Sequence, residues 1–116
     1  MAINRGEVYF VGLEGKGHEQ QKERPCVVIG NDAINHTLGI STVVPIASSP
    51  IYMDNGELAP VMIEIQKGEG GLPKTSYSMA HLVTTVSHER FVRRMGTLKP
   101  ETLKRIVRSV QGYINA

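Results

Sequence analysis

His18 and Arg24 lie in one polar stretch, GKGHEQQKERPCVVIGND, and these two side chain types together suit phosphate chemistry. Arginine presents a planar fork of donors that matches two phosphate oxygens and can stabilise the negative charge that develops during phosphoryl transfer. Histidine titrates near neutral pH, so it can give or take a proton there. Pro25 forces an extended approach after Arg24, which would hold the guanidinium at the edge of a strand. The commoner role of such an arginine is that of a solvated charge or an ion-pair partner of Glu19 or Glu23.

Other kinds of catalytic site find little support in the sequence. The histidines have no i, i+4 spacing, and Cys26 is the single cysteine, so we expect no metal site. The G-x-S-x-G motif of serine hydrolases is absent. The GEGG segment at 68–71 lacks the Lys-Ser/Thr of a phosphate-binding loop and predicts a flexible turn. No cofactor is expected.

Short β-strands must position these residues. Apolar runs separated by Gly, Pro, Asn and Asp predict strands over the first two thirds of the chain. The predicted strands cover residues 7–13, 26–29, 40–46, 60–65 and 79–86. Two intervening loops, residues 14–24 and 47–59, are long for so small a domain, and long loops tend to carry function.

The apolar spacing becomes helical near the C-terminus. Pro100 is typical of a first helical turn, and an amphipathic helix is predicted to follow it and pack on the β part. Its apolar stripe consists of Leu103, Ile106, Val107, Val110 and Ile114. A shorter helical turn is predicted over residues 87–91, with Ser87 as its N-cap.

The chain of 116 residues has the length of one domain, and we expect a single domain over residues 1–116. Hydrophobic residues make up 41% and charged residues 21%, which is ordinary for a soluble globular protein. No apolar run approaches the ~18 residues of a membrane span, and MAINRGEVYF contains no signal-peptide core. The lone Cys26, predicted to be buried in a strand, fits a reducing compartment. We therefore expect a cytoplasmic protein without membrane contact.

The net charge of +2 is too small to identify a nucleic-acid partner, but the charge is unevenly distributed. Seven of the thirteen basic residues fall in the last third of the chain: Arg90, Arg93, Arg94, Lys99, Lys104, Arg105 and Arg108. They form either a solvated face or a binding surface.

Several segments, in this order, resemble the MazF/PemK family of toxin–antitoxin ribonucleases. The most distinctive is G-x-E-Q followed by R-P-x-V-V-I, placed after an RGE-V first strand. The segments are RGEVYFVGL at 5–13, GHEQQKERPCVVIGND at 17–32, VVPI at 43–46, GLPKTS at 71–76 and TVSHER at 85–90. The resemblance covers about the whole chain.

The resemblance implies a mainly β fold, an SH3-like small barrel with a C-terminal helix, as in MazF, PemK and CcdB toxins. It further implies a homodimer that binds a cognate antitoxin protein and cleaves single-stranded mRNA without a metal ion. In this reaction the ribose 2′-hydroxyl attacks the phosphate and leaves a 2′,3′-cyclic phosphate and a 5′-hydroxyl. Such a reaction needs a base, an acid and a cation beside the phosphate.

Individual positions match the family's site. Arg24 falls on the catalytic arginine, and His18 falls on the histidine that some PemK-like members use. Four further residues match segments expected to contact the substrate, namely Glu19, Gln20, Lys74 and Ser76.

Other positions depart from the family pattern. Ala47 stands where many members carry a catalytic Thr or Ser, although Ser48 follows it and is a candidate for that role. His81 occupies the place of an acidic base, and two opposed imidazoles, His18 and His81, could divide the base and acid roles. The neighbouring Gln and Arg of the family are replaced by Leu82 and Thr84.

Two interpretations other than a ribonuclease stay open. A weakened site would suit a CcdB-like protein that acts by binding a topoisomerase. It would also suit an inactive RNA-binding relative that keeps Arg24 and Lys74 for phosphate contacts, with binding that depends on salt.

Overall fold

Antiparallel strands and one long helix make up the fold in this computed structural model, which describes residues 2–13 and 22–115. The strands are β1 (Glu7–Leu13), β2 (Lys22–Val28), β3 (Ile40–Ala47), β4 (Met62–Ile65), β5 (Ser76–Met79), β6 (Thr84–Ser87) and β7 (Phe91–Thr97). The helices are α1 (Asp32–Asn35) and α2 (Pro100–Ile114), and single 3₁₀ turns cover Glu69–Gly71, Ala80–Leu82 and His88–Arg90. The predicted mainly β fold with a C-terminal helix is confirmed.

Strand β3 organises the sheet because it changes partner along its length. The strand order is β4-β5-β3-β2-β1-β7, with β6 also paired to β3. The first half of β3 pairs with β6, and its last residues, Ile46 and Ala47, pair with β5. The turn Ala80–Leu82 joins β5 to β6. The continuous segment from β5 to β6 therefore pairs with both halves of β3.

The central strands are buried on both faces. In β2, Val27 belongs to one hydrophobic cluster, whereas Cys26 and Val28 belong to another. This follows from the alternation of side chains along a strand. The first cluster includes Ile106 and Val110 of α2, so the helix covers that face of the sheet.

The predicted strand over residues 79–86 is wrong as a single element. It consists of the end of β5, the turn Ala80–Leu82 and β6, because β3 needs a different partner strand in each half. Strand β7 and the short helix α1 were not predicted. In β7 the run Val92, Arg93 and Arg94 is exposed, so the strand offers little apolar alternation.

The bounds of β2 and β4 also differ from those predicted. β2 begins at Lys22, so Arg24 lies inside a strand and not in the loop predicted for residues 14–24. β4 begins at Met62, two residues after the predicted start. The prediction that Cys26 is buried is confirmed.

Helix α2 forms where predicted, with Pro100 in its first turn. Ile106 and Val110 are buried, but Ile114 at the end of the predicted stripe is 66% exposed. The turn at His88–Arg90 is also confirmed, with the Ser87 hydroxyl accepting from the backbone N–H of Glu89. No helix in the described part of the chain is long and apolar enough to cross a membrane.

Candidate active site

A cavity of about 460 Å³ opens where strands β2 and β3 part. The pairing of the two strands ends at Cys26 opposite Pro45. Pro25 and Pro45 have no backbone N–H, so neither can donate a hydrogen bond to a ladder. The start of β2 and the end of β3 therefore leave a gap, and this gap is the cavity.

Residues from separate parts of the chain line the cavity. They come from the start of β2, the end of β3 with the loop that follows, the segment before β5, and β5 itself. The lining residues are Arg24, Pro25, Ile46, Ala47, Ser48, Ser49, Leu72, Pro73, Lys74 and Ser76. Four predicted site residues, Arg24, Ser48, Lys74 and Ser76, are thus brought together although they lie far apart in the sequence.

Arg24 is half-buried in β2, opposite Val11 of β1. Behind it, the Sγ atom of Cys26 lies 3.6 Å from the carbonyl oxygen of Arg24. Burial raises the pKa of the Cys26 thiol to about 12, and the nearby positive charge of Arg24 opposes that rise only in part. Cys26 therefore stays protonated near neutral pH and supplies no nucleophile to the cavity.

Ser76 holds the backbone of Lys74, which lies two residues before it. Its side chain is 5% exposed, and its hydroxyl donates a hydrogen bond of 2.8 Å to the carbonyl oxygen of Lys74. The single hydroxyl proton of Ser76 is thereby committed, whereas the side chain of Lys74 is exposed. Lys74 supplies the second positive charge of the cavity wall.

A glycine turn sets the path of the segment that carries Lys74. Gly71 has a φ of +74°, and a Cβ atom there would lie 2.0 Å from the carbonyl oxygen of Met95 in β7. A Cβ on Gly96 would lie 2.6 Å from the carbonyl carbon of Gly70. The turn predicted at GEGG is confirmed, and it packs closely against β7 because these three residues have no side chains.

Two serines, Ser48 and Ser49, follow Ala47 directly and line the cavity with it. Ala47 ends β3 and is half-buried, and Ser48 and Ser49 are exposed. The loop then folds back as a small hairpin, with Tyr52 paired to Leu58. The prediction named Ser48 but missed Ser49 and Pro73 as wall residues, although Pro73 lies in the quoted GLPKTS segment.

His81 does not line this cavity. It lies in the turn Ala80–Leu82, half-buried, and its Nδ1 atom is buried without a hydrogen-bond partner in the described part of the chain. The other predicted proton carrier, His18, lies outside the described residues, as do Glu19 and Gln20. The proposed pairing of His18 with His81 therefore stays a prediction.

Two aromatic side chains outside the cavity are half-buried. His88 is half-buried, and its Nε2 atom lies 2.8 Å from the buried hydroxyl of Ser41. Tyr77 is also half-buried, whereas Tyr52 is 62% and Tyr113 is 47% exposed.

Two of the basic residues of the last third make specific contacts across the sheet. The guanidinium of Arg93 lies 4.5 Å from the centroid of the Phe10 ring. Arg94 forms an ion pair with Glu7, with 2.7 Å between Nε and Oε2. Arg93 and Arg94 therefore contact specific side chains of β1 and do not interact with solvent alone.

The chemistry of the cavity is that of an anion site. Its wall combines the cations Arg24 and Lys74 with serine hydroxyls, and a guanidinium with an ammonium suits a phosphodiester. In residues 2–13 and 22–115, no three His, Cys, Asp or Glu side chains come together in a group that could hold a metal ion.

A family model described as PemK-like, MazF-like toxin of type II toxin–antitoxin system matches residues 4–114. This chain belongs to that family. As a member of it, the toxin is 25% identical over 119 residues to the endoribonuclease MazF9 of Mycobacterium tuberculosis, with 97% of each chain covered.

Solved structures share the toxin's fold. MazF from Deinococcus radiodurans superposes with a TM-score of 0.80 at 15% identity, covering 100% of this chain and 99% of the other. A mycobacterial endoribonuclease in complex with its cognate antitoxin gives a TM-score of 0.77 at 20% identity, covering 98% and 96%. At these identities the structures confirm the fold.

Proposed function

We propose that this toxin is an endoribonuclease that cleaves single-stranded RNA without a metal ion, through attack of the ribose 2′-hydroxyl on the adjacent phosphate. The observation that carries the proposal is the grouping of Arg24, Ser48, Lys74 and Ser76 around one cavity. The name of the relative MazF9, an endoribonuclease, supports the same activity.

In this proposal Arg24 is the catalytic cation. Its planar fork binds two non-bridging oxygens of the scissile phosphate and stabilises the charge that develops as the 2′-oxygen attacks. Strand β2 restricts the backbone of Arg24, and the buried Cys26 lies against its carbonyl group. The guanidinium is therefore attached to a rigid support, which favours a stabilising interaction prepared before the reaction.

Lys74 and the serines have supporting roles. Lys74 binds a phosphate oxygen as a point charge, and Ser76 positions it through the hydrogen bond to its backbone carbonyl. Ser48 donates a hydrogen bond to the substrate from the end of β3. Glu19 and Gln20, which precede β2 in the sequence, are proposed substrate contacts from the family pattern.

Proton transfer is assigned to His18 and His81. One takes the proton of the attacking 2′-hydroxyl, and the other protonates the leaving 5′-oxygen. His81 would act from outside the wall of the described cavity, so its contribution needs a direct test. If His81→Ala cleaves RNA as fast as the wild type, that assignment fails while the role of Arg24 stands.

The partners of the toxin are also proposed from its relatives. A cognate antitoxin is expected to bind it, since a structure of similar fold is described as a complex with one. We also propose that the toxin is a homodimer that acts on mRNA in the cytoplasm.

The chemistry of the product ends tests the proposed reaction. Purified toxin is incubated with a long unstructured RNA in the presence of EDTA, and the new ends are mapped for the wild type and for Arg24→Ala. We expect cuts that bear 2′,3′-cyclic phosphates and 5′-hydroxyls, and that disappear in the variant. Salt-dependent RNA binding with no cleavage at high protein concentration would refute the proposal and identify a binding protein instead.

A further inference from the structure

A row of four side chains runs from the proposed catalytic arginine across the sheet. The last pair between β2 and β3 is Cys26 opposite Pro45, so two residues further Arg24 faces Ala47 across the cavity. Ala47 pairs with Tyr77 of β5, and Tyr77 pairs with Glu64 of β4. Directly paired residues of antiparallel strands share one face of the sheet, so Arg24, Ala47, Tyr77 and Glu64 share a face.

Tyr77 is the only aromatic side chain of this row. Neighbouring strands lie about 4.8 Å apart, so Tyr77 is one strand away from Ala47 and two from Arg24. Ala47, which lines the cavity, pairs directly with the half-buried Tyr77, so this ring lies one strand away from the cavity wall. An aromatic ring beside a phosphate site can stack on a base of single-stranded RNA.

A second tyrosine lies close to the same place. Tyr52 belongs to the hairpin that follows Ser49, and this hairpin is held by a 2.8 Å hydrogen bond from the Met53 N–H to the Glu57 carbonyl. The pKa of Tyr77 is raised by its burial, then by the negative charge of Glu64 and by Tyr52. Glu64 is the strand partner of Tyr77, and Tyr52 lies near enough to act on the charge of its phenol group.

The polar group next to Tyr77 in this row is the carboxylate of Glu64. Its carboxylate is exposed, and its Oε2 atom accepts a 2.8 Å hydrogen bond from the side chain amide of Gln66. An ionised carboxylate only accepts hydrogen bonds, and its two oxygens can receive two parallel donors. Guanine is the base whose Watson–Crick edge presents two adjacent donors, N1–H and the 2-amino group. The corresponding edges of adenine, cytosine and uracil place an acceptor next to a donor.

We propose that Tyr77 and Glu64 form a guanine-binding subsite for a nucleotide next to the scissile phosphate. The Tyr77 ring stacks on the base, and the Glu64 carboxylate accepts from N1–H and the 2-amino group. This inference rests on the proposed ribonuclease function and names a part of its sequence preference.

Mapping of cleavage ends on a random-sequence RNA tests the subsite. The wild type is expected to select guanine at one position near the cut. Glu64→Gln should reduce that preference roughly tenfold, because the amide oxygen of glutamine can accept a hydrogen bond from only one of the two donors. Glu57→Gln is the matched control, since it removes the same charge from the neighbouring exposed hairpin and should leave the preference unchanged.

Two further comparisons separate stacking from hydrogen bonding. Tyr77→Ala should raise KM roughly tenfold at the preferred sites, whereas Tyr77→Phe, which keeps the ring, should behave as the wild type. Replacing the selected guanosine by inosine removes the 2-amino group and should slow the wild type but not Glu64→Gln.

The outcomes distinguish the two levels of the proposal. Cleavage by the wild type with no preference for guanine, or with a preference that Glu64→Gln leaves intact, would overturn the subsite and leave the ribonuclease function standing. Absence of RNA cleavage by the wild type would overturn the ribonuclease function and the subsite together.

Discussion

Arg24 and Cys26 lie two residues apart in β2 and differ in their access to solvent. Arg24 is half-buried and lines the cavity, whereas Cys26 is fully buried in the cluster that contains Tyr9 and Phe91. A charged side chain is rarely placed so close to a hydrophobic core unless its charged end reaches solvent or a ligand. The open end of the β2–β3 ladder provides that access for Arg24.

The buried thiol gives a prediction at the residue scale. With a pKa of about 12, roughly one Cys26 thiol in ten thousand is ionised at pH 8, so the native protein should react very slowly with a disulfide reagent. The release of thionitrobenzoate from Ellman's reagent measures this rate. The same protein unfolded in guanidinium is the control and should react fully, and a comparable rate in the native protein would contradict the burial of Cys26.

At the residue scale the sequence predicted part of the site. Arg24, Ser48, Lys74 and Ser76 were named from residue types and family resemblance, and they line one cavity. His81 was assigned from the family pattern; it lies in the turn Ala80–Leu82 and does not line this cavity, so its role stays a prediction. The sequence does not show where the chain turns between β5 and β6, whereas the Arg-Pro pair restricts the backbone of Arg24 locally.

At the scale of elements, the cavity depends on how β3 and the glycine turn are held. β3 pairs with β2, β5 and β6 in different parts of its length, and its last two residues remain paired only with β5. The turn Glu69–Gly71 then brings Lys74 to the opposite wall. The site is therefore a product of two strand ends and one turn.

The close packing of this turn gives a prediction with a matched control. Gly71→Ala forces a Cβ atom to 2.0 Å from the Met95 carbonyl oxygen, whereas Gly68→Ala, also at positive φ, meets nothing within 4 Å. Gly68→Ala should cost about 1–2 kcal/mol, the usual penalty of a left-handed residue, and Gly71→Ala clearly more. Thermal unfolding measures both variants. Equal losses of stability would contradict the described contact between the turn and β7.

Elements with a regular apolar pattern were predicted well from the sequence. The break in the segment that pairs with two parts of β3 was not predicted. The apolar run of β1 and the helical stripe of α2 gave elements close to those observed. The segment 79–86 is apolar enough for one strand. Its two ends pair with different halves of β3, however, and a turn separates them. β7 was missed because its exposed arginines resemble a solvated segment.

At the scale of the whole molecule, a polar cluster ties the N-terminal segment to β1 and β7. Glu7 is 8% exposed, and its Oε1 atom accepts from the Asn4 N–H at 2.6 Å and lies 3.1 Å from the Tyr9 hydroxyl. The ion pair with Arg94 balances its charge. Burial, followed by the negative charge of Glu7 and the hydrogen bond to it, raises the pKa of Tyr9 to about 12, against an opposing effect of Arg94.

This shift predicts how stability falls at high pH. Because the folded pKa lies above the ordinary value of 10, the contribution of Tyr9 is complete below pH 10 and is lost as the pH rises towards 12. The loss should be on the order of 2–3 kcal/mol. Guanidinium unfolding at several pH values measures it, and Tyr9→Phe should lose less over this interval. Cys26 titrates in the same direction in both proteins, so the difference between them isolates Tyr9. An identical pH dependence in the two proteins would contradict the prediction.

The rate of RNA cleavage in a single turnover, measured for substitutions of Arg24, tests most directly the claim that this cavity is the active site of a ribonuclease. Arg24→Ala should slow cleavage by at least roughly 100-fold, and Arg24→Lys should fall between it and the wild type because it keeps the charge but not the fork. Arg108→Ala removes the same charge from an exposed position of α2 and should cleave at the wild-type rate. Folded Arg24→Ala that cleaves RNA as fast as the wild type would contradict this account.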